Sequence, residues 1–191
     1  MFLTEAEYEL MGEIMNQLMD IIRERRSVRV YKNKPLSTDI IHSLLEAAKY
    51  APTARNLQQL EYKVITNKDL IQKISDRIMV IVKKEYPSIQ LRNRPSLFYD
   101  APLLIIITGP KENTWIYSDA ALAVQNIVLY ATSIDLGTCF IGMARFIEKD
   151  EELMHELHIS GDRKIAAAVI CGYADEKPAE KEKKISAEFF H

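Results

Sequence analysis

Apolar side chains at Ile14, Leu18, Ile21 and Ile22 recur at helical spacing within residues 5 to 26, which predicts an amphipathic helix with one buried face. The stripe Ile40, Ile41, Leu44, Leu45, Ala47 and Ala48 predicts a second helix from about Thr38 to Ala51, with Ser37 as its cap. Pro52 ends it, because proline disfavours the helical conformation of the residue before it. Asp69 to Lys84 reads as a further amphipathic helix, stopped by Pro87. Ser118 to Asp135 is apolar nearly all round through Ala120–Val124 and Ile127–Leu129, which predicts a central helix. Its small residues Ala120, Ala121 and Ala123 leave room for a second helix to approach closely. Glu61 to Thr66 reads as a short strand. Leu103 to Thr108, bounded by Pro102 and Gly109, and Ile165 to Cys171 are continuous apolar runs, the pattern of strands buried on both faces.

Between these elements, residues 84 to 100 carry Pro87, Pro95 and mixed charges, and are expected to form a variable loop or lid. From Asp175 the chain is charged and proline-interrupted, then ends in the strand-capable ISAEFF, expected to dock on something, a partner subunit included. The order of elements gives an α+β class, with helices surrounding a small sheet.

Composition narrows the function classes. The 191 residues are 48% hydrophobic and 27% charged, as in an ordinary globular domain. A formal net charge of −2 provides no basic field for nucleic acid. The longest apolar runs, Leu103 to Ile107 and Ile165 to Cys171 among them, are far below the roughly 18 residues of a membrane span. MFLTEAEYEL lacks the basic-then-apolar pattern of a secretory signal, and Cys139 and Cys171 form no C-x-x-C pair. A reducing, cytoplasmic setting is the expectation.

Four segments could carry chemistry. Arg25-Arg26-Ser27-Val28-Arg29 offers three guanidiniums around a serine, able to bind a phosphate or an electron-rich ring edge, or else a solvated basic patch. Ala51-Pro52-Thr53-Ala54-Arg55-Asn56-Leu57-Gln58 lies between a helix and a strand; its carboxamides match the N–H and C=O edge of a flavin pyrimidine ring, or serve local backbone groups. Gln125 and Asn126, in an apolar helix, need partners, and a structural role is expected for them. Leu136-Gly137-Thr138-Cys139-Phe140-Ile141-Gly142 has two glycines that let backbone approach a flat ligand, but Met143 stands where a P-loop needs lysine. No G-x-G-x-x-G occurs. His155 and His158 miss the zincin spacing by one residue, so no metal site is expected, and Cys139 reads as a small buried side chain.

Taken in order, these segments resemble the nitroreductase family of flavoproteins across about residues 15 to 190. The resemblance rests on R-R-S-x-R-x-aromatic at Arg25 to Tyr31, E-A-A-x-x-A-P-[ST]-x-x-N-x-Q at Glu46 to Gln58, and Y-D-A-P at Tyr99 to Pro102. D-x-x-x-A-x-Q-N from Asp119, L-G-x-x-x-x-G from Leu136, and Gly172-Tyr173 complete it. It implies a nitroreductase-like fold, a small mixed or antiparallel sheet ringed by helices, in an intertwined homodimer with FMN at shared sites. Residues 1 to 14 would be an N-terminal extension and 15 to 191 a single FMN-binding domain. Cofactor contacts would come from Arg25, Arg26, Ser27 and Arg29 of one subunit and from Pro52, Thr53, Ala54, Asn56 and Gln58 of the other. Backbone amides at Ile141 and Gly142 would face the reactive ring, and Lys183 would align with a basic phosphate-binding position. NADH or NADPH would supply electrons to a flat acceptor such as a nitroaromatic, a quinone or a flavin, with the flavin carrying the chemistry. The alternatives are a flavin-binding or sensory protein without NAD(P)H turnover, or a specialised reaction such as dehalogenation or flavin fragmentation. Gln59-Leu60 replaces the family's proline and aromatic, and Ala174 the proline after Gly-Tyr, which bears most on substrate choice.

Overall fold

The computed structural model of the chain describes residues 17–89, 91 and 95–190. Helix α1 covers 17–24; the earlier part of the helix expected within 5 to 26 and the expected extension 1 to 14 lie outside the described residues. Then follow α2 (Thr38–Lys49), β1 (Glu61–Ile65), α3 (Lys68–Glu85), β2 (Leu103–Pro110), α4 (Ile116–Ser133), β3 (Leu136–Phe140), α5 (Glu151–Glu156) and β4 (Arg163–Tyr173). Short 3-10 turns occupy Ala54–Asn56 and Gly142–Lys149.

The strands form one antiparallel sheet in the order β1-β2-β4-β3. Its two central strands are buried on both faces, as their unbroken apolar runs require. Side-chain alternation sorts them between two cores. Leu104 and Ile106 of β2 face α3, the 142–149 turn and α5, together with Ile165, Ala168 and Ile170 of β4. Leu103, Ile105 and Ile107 face α2 and α4, together with Ala167, Val169 and Cys171. A β-bulge between Ile107 and Thr108 shifts the register between these strands.

Side-chain caps set the helix starts: Ser37 Oγ accepts from the Ile40 amide at 3.3 Å, and Asn67 Oδ1 accepts from the Leu70 amide at 3.0 Å. Helix α2 ends two residues before the sequence boundary at Ala51, in keeping with the restriction imposed by Pro52. Ala120 and Ala123 of α4 do admit a neighbour, packing in one core with Leu44 and Ala48 of α2. Helix α4 is not enclosed all round, however: Tyr117 and Leu122 stand exposed on its other side.

Three sequence expectations change. Leu136–Phe140 is an edge strand, an element that the sequence reading of its glycine as a close approach to a flat ligand did not include. The 84–100 lid is partly core. Lys84 and Glu85 finish α3, while Leu97 and Phe98 are buried, with the Leu97 amide donating to the buried Ser75 hydroxyl at 2.9 Å. Residues 90 and 92–94 of that stretch lie outside the described residues. Finally, ISAEFF forms no strand within the single chain: residues 176–190 carry no helix or strand, and Ile185 and Phe190 are 94% and 87% exposed.

Candidate functional site

Residues 25–32 run extended between β3 and the end of β4. Ser27 pairs with Thr138 in a parallel bridge, and the Val28 amide donates to the Thr138 carbonyl at 2.9 Å. Further along, the Lys32 amide donates to the Tyr173 carbonyl and the Asp175 amide to the Val30 carbonyl, each at 2.9 Å. Gly137 permits this approach, because a Cβ there would lie 2.8 Å from the Val28 side chain. The half-buried Tyr31 donates from its hydroxyl to the Val28 carbonyl at 2.7 Å. Burial drives that phenol well above its ordinary range, and it pushes the Cys171 thiol up to about 12. Both groups therefore stay protonated at neutral pH.

An extended segment turns alternate side chains to opposite sides. Arg25 and Ser27 line a recess of about 170 Å³ with Gln125, Thr138, Cys139 and Phe140. Arg29 lines an adjoining recess of about 370 Å³ with Tyr99, Ile141, Gly142, Met143, Arg145 and Phe146; Cys139 and Phe140 border both. Arg26 turns the other way. It pairs with Glu180 of the tail at 3.4 Å and donates to the Arg25 carbonyl at 3.0 Å. With Val28 it lines a third recess, of about 450 Å³, whose far wall includes Glu176, Lys177 and Pro178. The structure thus places Arg25, Ser27, Arg29, Ile141 and Gly142 around two recesses that share Cys139 and Phe140, and separates Arg26 from them. The Ile141 amide, expected to face a ring, instead donates to the Ala168 carbonyl at 2.9 Å, because Ile141 continues the pairing of β3 with β4. Gly142 is exposed, and a Cβ added there would meet nothing within 4 Å, so space lies open beside this backbone.

The 52–58 loop is built to hold an unusual backbone. Arg55, Asn56 and Gln58 have φ of 54°, 54° and 51°, the left-handed region that non-glycine residues enter at a cost. Thr53 Oγ1 accepts from the Gln58 amide at 3.1 Å, and Gln58 Nε2 donates to Asn56 Oδ1 at 2.9 Å. Asp119 of α4, 3% exposed, accepts from the Ala54 amide at 3.0 Å. Asn126 Nδ2 donates to the Ala47 carbonyl at 3.1 Å, tying α4 to α2 in the structural role expected of it. Gln125 instead faces the Arg25 recess. Pro52, Thr53, Ala54, Asn56 and Gln58 line neither recess of their own chain. Lys183 sits in the exposed tail and likewise lines neither.

Sequence reading missed several contributors. Phe140, Met143 and Arg145 gave no signal beyond their place beside the glycines, whereas Asp119 and Tyr99 stood inside quoted motifs without an assigned role. Among the described residues no group of three or more His, Cys, Asp or Glu side chains could hold a metal ion, and no helix is long and apolar enough to cross a membrane.

A family model described as the nitroreductase family matches residues 22–173. A nitrobenzene nitroreductase of Ectopseudomonas oleovorans is 26% identical, the match covering 87% of this chain and 91% of that one. An NADPH-dependent oxidoreductase of Staphylococcus aureus is 26% identical over 72% of this chain and 57% of its own. Among solved structures, a nitroreductase with bound FMN from Bacteroides fragilis superposes with a TM-score of 0.80 at 26% identity, covering 92% of this chain and 98% of that one.

Proposed function

The chain belongs to the nitroreductase family, and from that premise we propose that it is an FMN-dependent oxidoreductase passing electrons from NADH or NADPH to a flat acceptor: a nitroaromatic, a quinone or a flavin. The observation that carries this reading is the side of the 25–29 segment that presents Arg25, Ser27 and Arg29 to two recesses sharing Cys139 and Phe140, one of them lined by the open backbone of Gly142. Such a set fits FMN: guanidiniums and a hydroxyl suit a phosphate and an electron-rich ring edge, and an uncovered glycine suits a planar face. When bound, FMN supplies two-electron transfer between nicotinamide and acceptor.

The chain's own residues bind and polarise. Arg25, Ser27 and Arg29 would hold the phosphate and pyrimidine edge, and the two guanidiniums would supply positive charge that favours a reduced, anionic ring. Gly142 would offer its amide to the reactive face, whereas the Ile141 amide already donates to the Ala168 carbonyl at 2.9 Å and leaves Ile141 only its side chain to contribute. Lys183, which lines neither recess of its own chain, would supply a further cation only from the tail of a second copy. Arg26 acts indirectly, holding the tail against the back of the segment through Glu180.

The loop Pro52, Thr53, Ala54, Asn56 and Gln58 serves the site of a second copy, which makes the active protein a homodimer. Two observations support this. The loop is held in a strained backbone yet faces neither recess of its own chain. Moreover Leu57, Trp115, Tyr117, Leu122 and Phe140 are exposed at 44% or more, an apolar surface that a single chain leaves in water. Residues 15–191 form the one FMN-binding domain, 1–14 are an extension to it, and the protein works in the cytoplasm.

The test is a visible spectrum of protein purified without added cofactor, followed by NADH and NADPH added separately under nitrogen. A yellow protein whose flavin bands bleach is the expected result. A yellow protein that stays oxidised would favour a flavin-binding role without turnover. One that is colourless and takes up no FMN would sink the proposal.

A further inference from the structure

Arg145 stands where the two sides of the Ile141–Gly142 backbone meet. It lines the 370 Å³ recess with Arg29, and also a neighbouring recess of about 280 Å³ with Tyr117, Phe140 and Ala167. Its guanidinium carbon sits 5.0 Å from the Phe146 ring centroid, and it forms no ion pair with any described residue. None of the residues lining either recess is acidic. Arginines with nearby carboxylates in this chain do pair with them, as Arg77 does with Asp150 at 2.7 Å. A guanidinium left unmatched against aromatic walls focuses positive potential on the cleft and keeps its forked donors free for a ligand.

We infer that Arg145 is a specificity-determining residue that binds an anionic substituent, a carboxylate or a phosphate, on the molecule stacked in this cleft. Phe140, Phe146 and Tyr99 supply flat apolar contact for an aromatic body, and Arg145 supplies the charge at its edge. The inference rests on the functional reading above, and the anion has two possible sources: an acidic group on the electron acceptor, or the phosphates of the nicotinamide donor.

The experiment uses FMN-loaded wild type, Arg145→Gln and Arg145→Lys. Flavin content is measured first. Then kcat/KM is compared for 4-nitrobenzoate against neutral nitrobenzene, and for NADPH against a phosphate-free dihydronicotinamide. In Arg145→Gln one of the two ratios falls about tenfold, the scale of one charge-assisted hydrogen bond. Arg145→Lys restores part of it, and added salt shrinks the difference. A fall in the nitrobenzoate ratio assigns the anion to the acceptor, and a fall in the NADPH ratio assigns it to the donor. Both ratios unchanged in a yellow, reducible Arg145→Gln protein would overturn the inference while leaving the functional reading intact. Loss of FMN from that variant would also overturn it, by making Arg145 a cofactor ligand. Wild type that takes up no FMN overturns both together.

Discussion

Asp119 sits buried in the first turn of α4 and directs one carboxylate oxygen to the Ala54 amide, at the entry to three left-handed residues. Without that acceptor, a half-buried N–H would lose its partner just where the backbone is already strained. Asp119→Ala should therefore cost about 1–3 kcal/mol of stability, read as a lower melting temperature of protein stripped of flavin. FMN retention should fall further than stability alone explains, while Asp119→Asn, which keeps an acceptor oxygen, should recover most of both. No increase in FMN loss beyond the stability effect would mean that the loop has no part in the cofactor site. At this scale the sequence was only half informative. The motif from Asp119 was visible, but the bond that gives it purpose spans 65 positions, and neither composition nor local spacing reports it. The division of the arginine cluster was nearer to hand. Once Arg25 to Arg29 is taken as extended, odd and even positions must part, and Arg26 leaves the group by geometry alone.

Elements with a strong period were legible, and elements that depend on neighbours were not. The central strands β2 and β4 announced themselves because strands buried on both faces need no polar positions. Strand β3 did not, since Leu136–Phe140 is short, contains Gly137 and takes its conformation from pairing with β4. Leu97 and Phe98 were hidden by the prolines and charges around them, although they reach the core. The same β3 glycine offers a test. In Gly137→Ala the new methyl would lie 2.8 Å from all three Val28 side-chain carbons, and overpacking of this kind costs typically about 1–3 kcal/mol. The displaced segment is the one bearing Arg25, Ser27 and Arg29, so FMN affinity should drop more than global stability. A double variant Gly137→Ala/Val28→Gly, which removes all three of those carbons, should regain affinity; if it does not, the contact is not what positions the segment.

For the molecule as a whole, the proposed homodimer would complete each site with the 52–58 loop of the second copy. The apolar surface around Leu122, Tyr117 and Phe140 and the outward-facing 52–58 loop are consistent with assembly in pairs. Leu122→Arg should yield a monomer by light scattering that has lost FMN, with secondary structure retained by circular dichroism. A monomer that keeps its flavin would show each chain sufficient by itself. Tail and site also touch in a way that links them. Glu176 accepts from the Arg29 amide and Glu180 pairs with Arg26, so the tail holds one side of the very strand whose other side faces the recesses. Whatever steadies Arg25, Ser27 and Arg29 from the front must steady residues 176–180 from behind, and by reciprocity the tail must favour the occupied state. The tail thereby becomes a gauge of occupancy: a protease should clip it quickly from empty protein and slowly from loaded protein, and the clipped form should bleed its cofactor into the buffer.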